Sequence, residues 1–140
     1  MDIRPLDARL SASPQMATDD LKAIAEAGYR SIISNRPDGE APDQPTAAEI
    51  ETAAKEAGLA FVHVPVVGGS IGDADVINFR EALENLPKPV VGFCRTGTRT
   101  TTLWALMQAG DRPAGELIAT ASAAGYDIGG LRPRLEGAAK

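Results

Sequence analysis

Hydrophobic residues along this chain alternate between short solid runs and helically spaced positions. Tyr29 to Ser34, with Ile32 and Ile33 at its centre, Leu59 to Val67, and Val90 to Phe93 are runs of the length and β-branched character expected of buried strands. Between them the period changes. Thr18 can cap a helix in which Leu21, Ile24 and Ala25 share a face before Gly28 stops it. Thr46-Ala47-Ala48-Glu49 reads as a capping box, followed by Ala47, Ile50, Ala54 and Ala57 on one small-residue face and by Gly58. Val76, Phe79, Ala82, Leu83 and Leu86 predict a third helix that Pro87 and Pro89 end. Helical spacing returns over Thr102 to Ala109, closed by Gly110, and over Pro113 to Ala124, closed by Gly125. At the ends the pattern weakens. Ile3 to Leu10 suggests an edge strand with Ser11-Ala12-Ser13-Pro14 as its turn, and Asp127 to Gly137 a last short helix or irregular tail.

Strands alternating with helices of this length predict an α/β fold, a central and mainly parallel sheet flanked by helices on both faces. In such sheets ligands bind at the carboxyl ends of the strands. That rule gathers three segments on one rim: Asn35 to Glu40, Val66 to Asp75, and Cys94 to Thr100.

Composition narrows the classes. A chain of 140 residues with 44% hydrophobic content suits one domain over residues 1–140. The net charge of -5 argues against nucleic acid or an anionic membrane as partner. A lone cysteine excludes an intrachain disulfide and a Cys-rich metal site, and with one histidine no metal or cofactor is expected. No signal-like segment or long apolar run is visible, so the cytoplasm is the expected compartment.

That single cysteine carries the candidate chemistry. Cys94-Arg95-Thr96-Gly97-Thr98-Arg99-Thr100 follows a strand and precedes a helix, where converging N–H groups and the positive helix end cradle an anion and favour a thiolate. A cysteine ending a buried strand is otherwise a small hydrophobe, but the flanking arginines, threonines and glycine suit an anion nest better than a core. Gly97 supplies backbone freedom, Arg99 a guanidinium fork for an anion, and Thr98 or Thr100 a hydroxyl for the sulfur. Arg95 is expected to point outward and recruit substrate. Arg36 and Glu40 face the rim, either in the site or as an ion pair within their loop. His63, inside a strand, reads as structural, and Trp104 as packing.

Cys94 to Thr100, together with Asn35-Arg36-Pro37-Asp38-Gly39-Glu40, His63-Val64-Pro65-Val66 and Ala124-Gly125-Tyr126-Asp127, resembles the beta-lactamase hydrolase-like protein, phosphatase-like domain family over nearly the whole chain. The resemblance implies a cysteine-dependent fold of the dual-specificity-phosphatase type. It also implies partners, because members occur beside or fused to persulfide dioxygenase and rhodanese domains. Two chemistries follow. Dual-specificity phosphatases use Cys-x5-Arg, whereas Cys94 to Arg99 is Cys-x4-Arg with Thr100 where the phosphatase arginine belongs, a spacing similar to that of rhodanese sulfurtransferases. A phosphatase also needs a general acid. Val66 and Val67 follow Pro65, and the next acids, Asp73 and Asp75, suit a helix N-terminus, although Asp73 on a Gly-rich loop and Glu40 are further candidates. The reading favoured by loop length is a sulfurtransferase forming a Cys94 persulfide from a small anion such as thiosulfate or a persulfide. The alternative is a phosphatase working through a cysteinyl-phosphate, and a third is a non-catalytic anion or persulfide-binding module.

Overall fold

The computed structural model describes residues 2–138. A five-stranded sheet has the order β1-β2-β5-β3-β4, with β1 (Arg4–Pro5), β2 (Leu10–Ser13), β3 (Ser31–Ser34), β4 (Ala60–His63) and β5 (Val90–Phe93). Four strands are parallel and only the short edge strand β1 runs against its neighbour. The mainly parallel α/β sheet anticipated from the pattern is therefore present. The central strand is β5, paired in register with Leu10–Ser13 on one side and Ser31–Ser34 on the other.

Each face of the sheet has its own core. Ile32, Val91 and Phe93 pack with Leu21 and Ile24 of α1 (Leu21–Glu26) and with Ile50 and Ala54 of α2 (Ala47–Glu56). Leu10, Ala12, Ile33 and Val90 face the other way, toward α3 (Asp73–Asn85), α4 (Thr98–Leu106), α5 (Ala114–Ala123) and α6 (Arg132–Ala138), where Phe79, Leu83, Leu103, Trp104 and Leu117 are fully covered. Alternation along β3 and β5 thus divides the apolar residues between two layers of helices. Each large side chain removed from water in this way contributes about 1.5–3 kcal/mol.

Local signals explain most element boundaries. The capping box at α2 is made as the sequence implies, with the Glu49 N–H donating to Thr46 Oγ1 at 3.1 Å and Glu49 Oε1 accepting from the Thr46 N–H at 3.0 Å. At the start of α1 the expected Thr18 cap is not used. A 3-10 turn, Thr18–Asp20, leads into the helix, and Asp20 Oδ2 accepts from the Ala17 N–H at 2.9 Å.

Two readings of the sequence need correction. Leu10–Ser13, taken as the end of a strand and a turn, is a buried inner strand, and the edge is Arg4–Pro5. Its serines tolerate burial because Ser11 Oγ lies 2.9 Å from Tyr29 Oη and Ser13 Oγ donates to the Pro14 carbonyl at 2.8 Å. The helix expected from Thr102 begins at Thr98, so the loop after Cys94 is shorter than its composition suggests. Asp127 to Gly137 is mostly helical, a 3-10 turn at Gly129–Leu131 followed by α6. Among the described residues no helix is long and apolar enough to cross a membrane.

Candidate active site

Cys94 leaves the central strand directly into the rim. The exit is clamped from both sides: the Asn35 N–H donates to the Phe93 carbonyl at 2.8 Å and the Gln15 N–H to the Arg95 carbonyl at 3.2 Å. Three residues later Gly97 adopts φ +99° as the N-cap of α4. A side chain resists that conformation, and it turns the Gly97 N–H back onto Cys94 Sγ at 3.1 Å. The turn is held below by Thr101, whose N–H and Oγ1 both donate to the Gly97 carbonyl at 3.0 and 2.9 Å. Cys94 is fully buried and its sulfur faces the N-terminal turn of α4, a setting suited to negative charge on sulfur.

The hydroxyls do not act on the sulfur as the sequence suggests. Thr98 pairs with Thr96, Oγ1 to Oγ1 at 3.0 Å. Thr100 is fully buried and donates to Asn35 Oδ1 at 2.8 Å, while Asn35 Nδ2 donates to the Val64 carbonyl at 2.9 Å. These bonds tie β3, the segment after β4 and α4 together beneath the rim. The sulfur instead receives a backbone donor.

The three rim segments do converge, through Arg99. Its Nη1 donates to Glu40 Oε2 at 2.8 Å and to the Val66 carbonyl at 3.0 Å, and its Nη2 donates to Glu40 Oε1 at 2.8 Å. The guanidinium fork expected to await an anion is closed on a carboxylate. Glu40 Oε1 also accepts from Nε of the buried Arg36 at 3.0 Å, and Arg36 Nη1 donates to Gln15 Oε1 at 3.0 Å. Arg36 and Glu40 are thus both a loop ion pair and part of the rim. The Arg99 hydrogen bonds, and after them those from Arg36, hold the Glu40 carboxyl down at about 2. Arg99 is raised in turn, chiefly by Glu40.

An open pocket of ≈ 570 Å³ lies over this network, lined by Arg36, Glu40, Pro42, Val67, Arg95 and Arg99. Arg95 is exposed there, as expected of a recruiting charge. Asp73 is elsewhere: fully exposed in the first turn of α3, 3.9 Å from Arg134, and outside the pocket lining. Its place is that of a helix-terminal acid, one of the two readings its sequence position allows. His63 donates from Nε2 to the Arg36 carbonyl at 2.9 Å, a structural task that steadies the same loop. Trp104 is buried, with its N–H on Asp7 Oδ2 at 2.8 Å. Among the described residues no group of three or more His, Cys, Asp or Glu side chains could hold a metal ion.

Gln15 and Asn35 belong to the site's support; Gln15 carries no sequence signal of its own, whereas Asn35 opens the rim segment Asn35 to Glu40 without its amide being given a role there. Tyr126, part of the Ala124-Gly125-Tyr126-Asp127 motif, is a third supporting residue. It reaches the underside of the loop from the segment after α5, so close that a Cβ on Gly97 would collide with its hydroxyl oxygen.

A parallel sheet, a buried cysteine leaving its central strand and a glycine-capped helix behind it define a cysteine-dependent phosphatase-like fold. Within that class the chain belongs to the beta-lactamase hydrolase-like protein, phosphatase-like domain family, whose model matches residues 2–111. A beta-lactamase hydrolase-like protein of Xylella fastidiosa (strain Temecula1) is 41% identical over 131 residues, which is 92% of this chain and 30% of that protein. The chain accordingly spans less than a third of that curated relative. A crystal structure named "putative phosphatase" from Neisseria meningitidis Z2491 superposes with a TM-score of 0.91 at 40% identity, covering 99% of both chains. The core catalytic domain of the PP-IP phosphatase SIW14 from S. cerevisiae, in complex with citrate, shares the fold alone, with a TM-score of 0.67 at 18% identity over 85% of this chain and 72% of that one.

Proposed function

We propose that this chain is a cysteine-dependent phosphatase-type hydrolase of small anionic phosphoesters, with Cys94 as nucleophile. The observation that carries the reading is the Gly97 N–H at 3.1 Å from Cys94 Sγ, on the loop whose Arg95 and Arg99 line a pocket together with Arg36. The phosphatase-named relative of 40% identity supports it. In the first step the Cys94 thiolate attacks phosphorus, an S–P bond forms, and the P–O bond to the leaving group breaks. Water then cleaves the cysteinyl-phosphate, releasing phosphate and regenerating the thiolate. Arg99, once released from Glu40, forks onto the phosphoryl oxygens, and Arg95 draws the substrate in. Glu40 is ionised at neutral pH because its carboxyl is held at about 2, so it has no proton to donate. With Asp73 also away from the pocket, turnover favours leaving groups that depart without a proton, such as aryl phosphates and phosphoanhydrides.

A second reading, sulfur transfer through a Cys94 persulfide, is favoured by one observation. Four residues separate Cys94 from Arg99, and Thr100 is locked onto Asn35 where a Cys-x5-Arg phosphatase would have its arginine. Such transfer needs no general acid, and a persulfide-handling protein would be a fitting partner.

The purified chain is to be assayed with p-nitrophenyl phosphate and with thiosulfate plus cyanide, and Cys94 examined by mass spectrometry after each. Phosphate release with a phosphoryl adduct on Cys94 is expected. Thiocyanate formation with a single added sulfur atom and no phosphate release would transfer the assignment to the second reading. Activity surviving in Cys94→Ser would remove Cys94 from either.

A further inference from the structure

Tyr126 has the only buried side-chain nitrogen or oxygen without a hydrogen-bond partner among the described residues. Its ring lies in the core shared with α4 and α5, with the Arg4 guanidinium 5.7 Å from the ring centroid. The hydroxyl oxygen is fully covered and bears on Gly97, occupying the space that a side chain at this position would need. A phenylalanine would fill the rest of the cavity equally well. A buried hydroxyl left without a partner is destabilising, so packing alone does not explain this oxygen.

Its position supplies the reason. Gly97 sits at the point where the chain reverses so that its N–H meets Cys94 Sγ, and its carbonyl is already tethered to Thr101 on the helix side. The remaining freedom of the residue is a rocking motion toward the space its missing side chain leaves. The Tyr126 oxygen blocks that space. We propose that Tyr126 is a positioning residue for Cys94, its hydroxyl forming the floor that keeps the Gly97 amide aimed at the sulfur. Burial raises the phenol's ionisation range, so the group stays neutral and places no negative charge beneath the thiolate.

The proposal rests on the assignment of Cys94 as nucleophile and is tested independently of which group Cys94 accepts. In Tyr126→Phe the gap left by the oxygen frees Gly97, and the sulfur loses its steady donor. The rate of Cys94 alkylation by iodoacetamide at neutral pH should fall several-fold. In the same variant kcat for p-nitrophenyl phosphate should fall about tenfold or more with KM little changed. The melting temperature should hold or rise, because an unsatisfied hydroxyl has been removed. Unchanged alkylation kinetics in Tyr126→Phe would overturn the proposal, as would a lowered melting temperature accompanying lost reactivity, which marks a packing role. Phosphatase turnover that survives in Cys94→Ser would overturn the nucleophile assignment itself. Reactive Cys94 without phosphatase turnover would affect only the choice of substrate, and the alkylation comparison would still decide the role of Tyr126.

Discussion

Both terminal guanidinium nitrogens of Arg99 donate to the carboxylate of Glu40, Nη1 to Oε2 and Nη2 to Oε1, each at 2.8 Å. A bidentate carboxylate is a close geometric match to the face of a phosphate, so Glu40 occupies the fork that the proposed mechanism assigns to the phosphoryl group. On that mechanism, substrate and Glu40 compete for the same donors. Glu40→Gln keeps the size of the side chain and removes its charge and its second acceptor. Inorganic phosphate should therefore inhibit that variant more tightly, by roughly fivefold, matching the upper range for partly exposed ion pairs. Competitive inhibition assays measure this, and weaker inhibition would instead make Glu40 the residue that orients Arg99.

The same pair sets an acid limit on stability. Glu40 is held at about 2 in the folded chain, below its ordinary 4.5, by Arg99 first and Arg36 second. A depressed carboxyl stabilises the fold fully above its unfolded value and loses that contribution as the pH falls through the folded one. The contribution is complete above about pH 4.5 and declines toward pH 2. Urea denaturation across this window should show a steeper loss in the wild type than in Glu40→Gln, with the two slopes converging above it.

Thr100 tests the meaning of the short loop. Its hydroxyl is the donor to Asn35 Oδ1 in a fully buried pair, and its methyl lies where a Cβ on Gly92 would come within 2.6 Å. Thr100→Val keeps the shape and strands the Asn35 oxygen, which should cost about 1–3 kcal/mol in a denaturant titration. Thr100→Arg, which restores the Cys-x5-Arg spacing, should unfold or aggregate and gain no phosphatase activity, because the position points into the core and away from the pocket.

Much of this was legible in the linear chain for physical reasons. Solid apolar runs and a 3.6-residue period report burial directly, which is why β3, β5, α2 and α3 stand out, and the strand-to-helix loop around Cys94 follows from topology. Leu10–Ser13 escaped because its serines look like a turn until Tyr29 and the Pro14 carbonyl are seen to satisfy them. The start of α4 was misplaced because Thr98, Arg99 and Thr100 resemble loop residues, and only the +99° turn at Gly97 lets a helix begin there. The convergence of loops on one rim was readable. The bond from Arg99 to Glu40, and the reach of Tyr126 under Gly97, depend on side-chain paths across 59 and 29 positions of sequence, which local patterns do not encode.

Arg95 provides a test of how the anion arrives. The chain as a whole carries a net charge of -5, which repels an anionic substrate at long range, while Arg36, Arg95 and Arg99 line the pocket. Arg36 and Arg99 are engaged with Glu40, whereas Arg95 is exposed at the mouth. The local attraction therefore depends on Arg95 more than on either inner arginine. Arg95→Gln should lower kcat/KM through KM at low ionic strength and leave kcat nearly unchanged. Exposed charges are screened beyond about 10 Å at 0.1 M salt, so the difference from wild type should shrink steadily as salt is added. A loss in kcat that persists at high salt would show that Arg95 touches the reacting group and would move it from recruitment to catalysis.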